Sequence, residues 1–304
     1  MRHFTDAELE GRVGADEAIA AMDEAFRAQA DGRAATQPRV RTGAGAAKLS
    51  TMGAVIPSLG VAGAKVYTTV AGRFTFVILL FDAHDGRLLA SFDAAALTRL
   101  RTAAVSALAA RHLARADARV LAVFGTGVQA DGHVEALARV RPIREIRVVS
   151  RGDASGFVAR AGAATGARVR AATAREALDG ADIVVTATRS ATPLFASADV
   201  PDGAFIAAVG ATRPEVAELD ADTVGRCEIV AVEALGQCRE EAGDLIQAAA
   251  AGRFAWSSAC ELGEIVAGRA PGRRGDAGLT LFESVGIGLE DVAIAGLAWR
   301  KLRT

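Results

Sequence analysis

The stretch from Arg119 to Glu233 restricts the possible folds most, because short apolar runs alternate there with helical segments. The runs VLAVF, IRVVS, DIVVTAT, AFIAAVG and EIVAVE are rich in Val, Ile and Ala. Strands that alternate with helices form parallel βαβ units, and their buried strands read as continuous apolar runs. The pattern therefore predicts a doubly wound parallel sheet of the Rossmann type, an α/β domain over residues 113–280.

The sequence GTGVQA at residues 125–130 lies directly between the first of these runs and the helix that follows it. In the pattern G-x-G-x-x-G/A, the first glycine allows a tight turn and the second lets a pyrophosphate approach the backbone. The final small residue permits close packing of helix on strand. The helix N-terminus adds free N–H donors and the positive end of its dipole. We predict a dinucleotide site, the alternative being a plain glycine-rich turn. Its residues are Gly125, Thr126, Gly127, Val128 and Gln129.

The end of the second strand bears on the choice of cofactor. NAD sites usually carry Asp or Glu there for the ribose 2′-hydroxyl, whereas this strand ends in Ser150 and Arg151. A guanidinium suits a 2′-phosphate, so we favour NADPH over NADH. In the alternative, Arg151 is a solvated loop residue and both cofactors are accepted. Later strand ends and the C-terminal turn should line the same crevice and hold the nicotinamide. These positions are Thr186, Ala187, Thr188, Val209, Gly210 and Ser284.

The N-terminal part has a different character. A helical pattern over residues 16–30 precedes short β-rich segments within residues 36–92, and a long alanine-rich helix follows over residues 94–116. The last segment reads as a glycine-rich turn and a helix that could pack back on the N-terminal part. We therefore predict a discontinuous, β-rich α+β domain made of residues 1–112 and 281–304.

Composition narrows the function classes. With 35 basic and 36 acidic residues, nothing favours nucleic acid or a membrane surface as partner, and we expect a small-molecule ligand. The three cysteines lack metal-type spacing, which predicts reduced thiols, a cytoplasmic protein and no metal site. The charged N-terminus is unlike a signal peptide, and the apolar runs are too short for a membrane span.

Several segments together resemble the ornithine cyclodeaminase/mu-crystallin family over almost the whole chain. They are QPRVRT, GAKVYTT, LTRLRTAAVSALAARHLAR followed by FGTGVQADGHVEAL, VGATRPEVAELD and SVGIGLEDVA. The resemblance implies a homodimer whose first domain dimerises and contacts the substrate, while the Rossmann domain holds the cofactor. It also implies that Arg41, Lys65 and Arg101 bind the substrate carboxylate. Arg39 competes with Arg41 for the first of these positions.

The residues themselves agree with two of these assignments. Lys65 is one of three lysines in an arginine-rich chain and lies in a strand of small and β-branched residues, as expected of a cleft-facing charge. The alternative is an outward-facing surface lysine. Arg101 lies among alanines in the long helix, and its planar guanidinium suits bidentate carboxylate binding. The alternative for Arg101 is a structural ion pair.

Thr212, in VGATRPEVAELD, distinguishes the reactions of this family. The resemblance implies that the cyclodeaminases carry an aspartate at this position as general acid and base. A carboxylate of tuned pKa can cycle between protonation states near neutral pH, and a threonine hydroxyl cannot. The segment is closer to the ketimine reductases and Δ1-pyrroline-2-carboxylate reductases. A preformed cyclic ketimine asks the protein mainly to bind the carboxylate and orient the imine, because the cofactor performs the hard step.

We therefore predict an NAD(P)H-dependent imine oxidoreductase that reduces Δ1-pyrroline-2-carboxylate or Δ1-piperideine-2-carboxylate to proline or pipecolate. Lys65, Arg101 and Thr212 are its predicted catalytic residues. One alternative is an ornithine cyclodeaminase with bound NAD, which releases ammonia. Another is a non-catalytic, NADP-dependent ligand-binding protein similar to mu-crystallin.

Overall fold

A computed structural model describes residues 2–303. Its helices are α1 (Asp6–Leu9), α2 (Ala15–Ala30), α3 (Ala95–Leu113), α4 (Val128–Val140), α5 (Ser155–Thr165), α6 (Ala174–Leu178), α7 (Ala221–Gly225), α8 (Leu235–Glu241), α9 (Gly243–Ala250), α10 (Leu262–Val266) and α11 (Gly288–Leu302). Its strands are β1 (Arg2–Phe4), β2 (Ala35–Ala44), β3 (Ala47–Ile56), β4 (Val61–Val70), β5 (Arg73–Asp82), β6 (Leu88–Asp93), β7 (Val120–Phe124), β8 (Glu145–Val149), β9 (Arg168–Ala171), β10 (Ile183–Thr186), β11 (Phe205–Ala208), β12 (Cys227–Val232), β13 (Ala259–Glu261) and β14 (Leu279–Glu283).

The chain divides into two compact units. The first contains the residues up to Val105 and those from Gly286 onward, and the second runs from Ser106 to Val285. These divisions lie several residues from the predicted boundaries at 112/113 and 280/281. The first falls inside α3, and the second follows β14, which pairs with two strands of the parallel sheet and so belongs wholly to the second unit.

The first unit is built on a six-stranded sheet in the order β1-β6-β5-β4-β3-β2. β2 to β6 pair antiparallel with their neighbours in sequence, and β1 adds to β6 in parallel. α11 packs on β3, β4 and α2 and buries Leu289, Val292 and Ile294 completely, each contributing roughly 1.5–3 kcal/mol. At the start of α11, a Cβ on Gly288 would lie 2.3 Å from the carbonyl oxygen of Gly53. Glycine therefore allows the first turn of α11 to lie directly against β3.

The second unit contains an eight-stranded sheet, parallel throughout, in the order β13-β12-β14-β11-β10-β7-β8-β9. The chain runs outward from β7 through β8 and β9, then returns to β10 on the other side of β7. Ligands of such sheets bind at this switch point, beside the carboxyl ends of the strands. The predicted doubly wound α/β sheet and the additional β-rich domain are confirmed.

Candidate dinucleotide and carboxylate sites

The turn after β7 has the geometry that the glycine pattern predicts. Gly125 has a φ of 109°, a conformation that side chains of L-residues rarely adopt. Its N–H donates to the carbonyl of Val149 at 2.9 Å. A Cβ here would lie 2.5 Å from the carbonyl oxygen of Ala187. Gly125 is therefore required by the fold, since β7 must turn closely beside the end of β10.

Gly127 has a different role, because it leaves space unfilled. It is the N-cap of α4, and a Cβ there would meet no atom within 4 Å. The next residue, Val128, is 64% exposed. The first N–H groups of a helix have no partner within the helix, so they are available to a ligand above this open backbone. The turn therefore fits a dinucleotide phosphate.

The end of β8 carries the predicted ribose contacts. The Thr126 and Ser150 hydroxyl oxygens lie 3.5 Å apart, and Ser150 Oγ also accepts the N–H of Gly152 at 3.2 Å. Arg151 is exposed. The nearby Asp153 carboxylate accepts the Ser155 N–H and hydroxyl, at 2.9 and 2.6 Å.

The remaining predicted cofactor residues lie at other strand ends of the second unit. Thr186 ends β10, followed by Ala187 and Thr188, while Val209 and Gly210 follow β11. Ser284 directly follows β14 and is 2% exposed. Its hydroxyl donates to Glu233 Oε1 at 2.6 Å. Thr212 is partly exposed in the loop after β11, and its N–H donates to the carbonyl of Gly210 at 3.1 Å.

A group of buried acids at these strand ends was missed by sequence reasoning. Glu218, Glu233, Asp244 and Glu283 are each 1% exposed or less. Burial raises the pKa of Glu218, raises that of Asp244 to about 7, and raises that of Glu283 well above its usual value. Neighbouring carboxylates add to the shifts of Asp244 and Glu283. We call these four residues the acid cluster.

Asp244 and Glu283 stand out within the acid cluster. Among residues 2–303, Asp244 Oδ2 and both carboxyl oxygens of Glu283 have no N–H or hydroxyl donor. The two carboxyl groups lie close enough to hydrogen-bond one another, which requires a proton between them. Across the same residues, no three His, Cys, Asp or Glu side chains are arranged to hold a metal ion. Burial and the neighbouring carboxylates raise the pKa of both groups, so a proton on one of the two carboxyl groups is favoured.

The first unit brings Lys65 and Arg101 together around two acids in the first turn of α11. Lys65 Nζ donates to Asp291 Oδ1 at 2.8 Å, and Arg101 Nε donates to the same oxygen at 3.1 Å. Arg101 Nη1 donates to Glu290 Oε2 at 2.6 Å. Lys65 and Arg101 are 2% and 5% exposed, and both acids are fully buried. We call these four residues the ion-pair cluster.

The electrostatics of the ion-pair cluster follow from burial and pairing. Burial lowers the pKa of Lys65 to about 8, although Asp291 opposes the shift. The pKa of Asp291 is lowered despite burial, because Arg101 and Lys65 stabilise its charged form. A shared carboxylate thus fixes two cations at one place.

Arg39 and Arg41 both lie in β2, and the structure separates them. Arg39 is half-buried; its Nη2 donates to the Gly286 carbonyl at 2.8 Å and its Nε to Met52 Sδ at 3.4 Å. Its charge acts on both Lys65 and Asp291. Arg41 is exposed and pairs with Ser50 of β3. The cation beside the ion-pair cluster is therefore Arg39.

Sequence reasoning also missed Glu290 and Asp291, although both lie in the quoted segment SVGIGLEDVA. Acids in the first turn of a helix ordinarily interact with the helix dipole at the surface. A signal that could have found them is the burial of α11 along most of its length. An acid on such an otherwise apolar, buried helix needs a buried cation as partner.

Similarity to known proteins extends over nearly the whole chain. A profile of the ornithine cyclodeaminase/mu-crystallin family matches residues 2–303. The Δ1-pyrroline-2-carboxylate reductase of Bacillus cereus is 36% identical over 261 residues, which cover 82% of this chain and 80% of that protein. No helix within residues 2–303 is long and apolar enough to cross a membrane.

Two solved structures are similar over nearly the full length. A probable ornithine cyclodeaminase from Bordetella pertussis is 45% identical, with a TM-score of 0.95 over 99% of this chain and 97% of that one. A Δ1-pyrroline-2-carboxylate reductase from Thermococcus litoralis, in complex with NADH and L-proline, is 28% identical, with a TM-score of 0.94 and the same coverage. Both structures share the fold of this chain, and the chain belongs to the ornithine cyclodeaminase/mu-crystallin family.

Proposed function

We propose that the protein reduces a cyclic ketimine carboxylate, Δ1-pyrroline-2-carboxylate or Δ1-piperideine-2-carboxylate, with NAD(P)H. The observation that carries this proposal is the side chain at position 212. The loop after β11 presents the partly exposed Thr212 there, where the family resemblance implies a carboxylate in the cyclodeaminases. A hydroxyl can orient an imine through a hydrogen bond, but it cannot serve as general base near neutral pH.

Lys65 and Arg101 bind the substrate carboxylate in this proposal. Both are buried cations held by Asp291, so their positions are fixed before substrate arrives. Arg39 takes the third position that the family resemblance gave to Arg41, because Arg39 adjoins Lys65 and Asp291 while Arg41 is exposed. Planar guanidinium groups and a compact ammonium together recognise a carboxylate.

The second unit holds the cofactor. Gly127 and the first turn of α4 bind the pyrophosphate, and the backbone at Thr186 and Gly210 faces the nicotinamide. When bound, reduced nicotinamide supplies the hydride. Arg151, with no carboxylate at the tip of β8, supports a preference for NADPH. The Thermococcus litoralis relative was solved with NADH, so both cofactors belong in the assay.

We also propose a homodimer formed through the β-rich unit. Strands β2 to β5 expose large apolar side chains, which commonly mark an interface. They include Val40, Leu49, Val55, Val70 and Phe74, each 45–52% exposed. Light scattering of the wild type and of Phe74→Asp tests this: the wild type should have the mass of two chains, and the variant should have less. A monomeric wild type contradicts it.

The decisive assay follows loss of reduced-nicotinamide absorbance with each cyclic imine, using NADPH and NADH separately. In parallel, ornithine is supplied with NAD and ammonia is measured. Imine-dependent oxidation without ammonia release supports the proposal. Steady ammonia and proline production from ornithine would establish cyclodeamination instead. Tight cofactor binding without turnover of any imine would favour a ligand-binding protein.

Two variants test which residues bind the substrate and which bind the cofactor. Arg101→Ala should raise KM for the imine at least roughly tenfold, because it removes a charged partner of the carboxylate. An unchanged KM would contradict that role.

Gly127→Ala should fold normally, since its Cβ meets open space, yet should weaken dinucleotide binding by blocking the phosphate. Gly125→Ala is the matched contrast, because it should destabilise the fold itself.

A further inference from the structure

The carboxylate of Glu218 joins two strand ends of the second unit. Thr188, after β10, donates to Glu218 Oε1 through its backbone N–H at 2.7 Å and its hydroxyl at 2.5 Å. Gly210, after β11, donates its N–H to Glu218 Oε2 at 2.9 Å. One buried side chain therefore sets the spacing between the carboxyl ends of two adjacent parallel strands.

Glu218 is itself held firmly. Its backbone N–H and that of Leu219 both donate to Asp244 Oδ1, at 2.7 and 2.9 Å. Its carbonyl accepts the Leu194 N–H at 2.9 Å. The side chain therefore leaves a backbone that is anchored on both sides, and its carboxylate has little freedom to move.

The packing at Gly210 shows how closely this carboxylate approaches the chain. A Cβ on Gly210 would lie 2.3 Å from Glu218 Oε2, so any larger residue would displace it. The bond between Gly210 and Glu218 also closes the loop that contains Thr212. On its other side that loop packs on Gly243, where a Cβ would lie 1.9 Å from the Val216 carbonyl oxygen.

We propose that Glu218 is a positioning residue for the nicotinamide end of the cofactor, acting through the backbone at Thr188 and Gly210. This inference rests on the proposed function, because that assigns the two strand ends to the nicotinamide. Glu218 also sets the position of Thr212, since it closes the base of the Thr212 loop. It touches neither cofactor nor substrate and acts only through these segments.

The test is the variant Glu218→Gln, which keeps the shape of the side chain. An amide has one acceptor oxygen, so in either orientation its NH2 group opposes one of the two backbone N–H groups. We expect the Kd for NADH, measured by calorimetry, to rise roughly tenfold. ADP-ribose lacks nicotinamide, and its Kd should stay within about twofold of the wild type. General damage to the fold would weaken both ligands alike.

Glu261→Gln is the matched control. Glu261 lies at the end of the edge strand β13, and its carboxylate accepts the backbone N–H of Leu235 at 2.8 Å. The substitution should leave the Kd for NADH and the Kd for ADP-ribose unchanged. If Glu218→Gln does not fold, Thr188→Val removes one of the three hydrogen bonds. It should raise the Kd for NADH about threefold while sparing ADP-ribose.

The inference is overturned if NADH affinity is unchanged in the folded variant, or if NADH and ADP-ribose weaken equally. A wild type that binds NADH but reduces no imine would refute the proposed function, and the comparison of the two ligands would still decide the role of Glu218. A wild type that binds neither NADH nor NADPH overturns both.

Discussion

The two units bury ionisable groups in opposite ways. In the first, the ion-pair cluster keeps its groups charged, because Asp291 and Glu290 face Lys65 and Arg101 within hydrogen-bond distance. In the second, the acid cluster contains only acids, and burial favours the neutral forms of Asp244 and Glu283. Among residues 2–303, the buried lysine and arginine side chains, Lys65 and Arg101, both belong to the first unit. Pairing preserves charge in a dry interior, and lack of a counter-charge favours a proton instead.

If the two units differ in this way, the largest loss of stability should come from substitution of Asp291. Asp291→Asn removes the charge that compensates two buried cations, so we expect a loss of about 3–5 kcal/mol in the free energy of unfolding. Urea unfolding measures it. Lys65→Met in the same background should recover part of the loss, because it removes an uncompensated charge. A loss below about 1 kcal/mol would mean that the cations do not depend on this acid.

The second largest effect is a loss of folding stability at acid pH that depends on His133. Burial lowers the pKa of His133 to about 4. The neutral ring donates from Nδ1 to the carbonyl of Gln129 at 2.7 Å and accepts at Nε2 from the Ser106 hydroxyl at 2.9 Å. Between about pH 6.5 and 4 the unfolded chain binds a proton that the folded chain does not, so this contribution to stability is lost as pH falls.

We expect the stability of the wild type relative to His133→Gln to fall by about 3 kcal/mol between pH 6.5 and pH 4. Unfolding curves at several pH values give this difference. His84→Gln, in an exposed turn, is the control. Parallel pH profiles of the wild type and His133→Gln would show that His133 does not carry the effect.

A smaller effect is expected at Gly210, where the acid cluster meets the β11 strand end. Gly210→Ala places a methyl group 2.3 Å from Glu218 Oε2 and should cost about 1–3 kcal/mol of stability. It should also weaken NADH binding, because Glu218 must move. Gly236→Ala, where a Cβ meets nothing within 4 Å, should cost less than about 1 kcal/mol. Equal losses in the two variants would contradict the tight fit.

The smallest change in stability is predicted for Glu283→Gln, which replaces a carboxyl group by an amide as Asp291→Asn does. Burial raises the pKa of Glu283 well above its usual value, which favours the neutral form, and an amide resembles that form closely. Glu283→Gln can still donate a hydrogen bond to Asp244, and we expect a change below about 1 kcal/mol. Chemical denaturation at pH 7 measures it. A loss as large as that of Asp291→Asn would show that Glu283 is ionised.

Much of the architecture could be predicted from the sequence, because its signals are local. The alternation of strands and helices and the glycines at 125 and 127 each depend on neighbouring residues. Strand β14 was not predicted, since LTLFE is short and its partners β11 and β12 lie far away in sequence. The sequence predicts no strand here, and the glycine-rich turn that it does predict overlaps the last two residues of β14, Phe282 and Glu283.

The site was less predictable, because its partners are distant. Asp291 is 226 residues from Lys65 and 190 from Arg101, and no local pattern links them. The choice between Arg39 and Arg41 depended on an irregularity in the β2–β3 pairing between Gln37 and Val40. Alternation places residues two apart on the same face of a strand, so it could not distinguish Arg39 from Arg41, and the bulge that breaks this alternation is not visible in the sequence.

The position of β14 has a consequence for the order of folding during synthesis. This strand lies between β11 and β12 in the sheet, yet it begins only at Leu279. A growing chain that ends before this point leaves β11 and β12 without their common neighbour and exposes unpaired strand edges. The parallel sheet therefore cannot be completed while synthesis proceeds along the preceding residues, and the edges of β11 and β12 stay open to wrong pairing until β14 emerges.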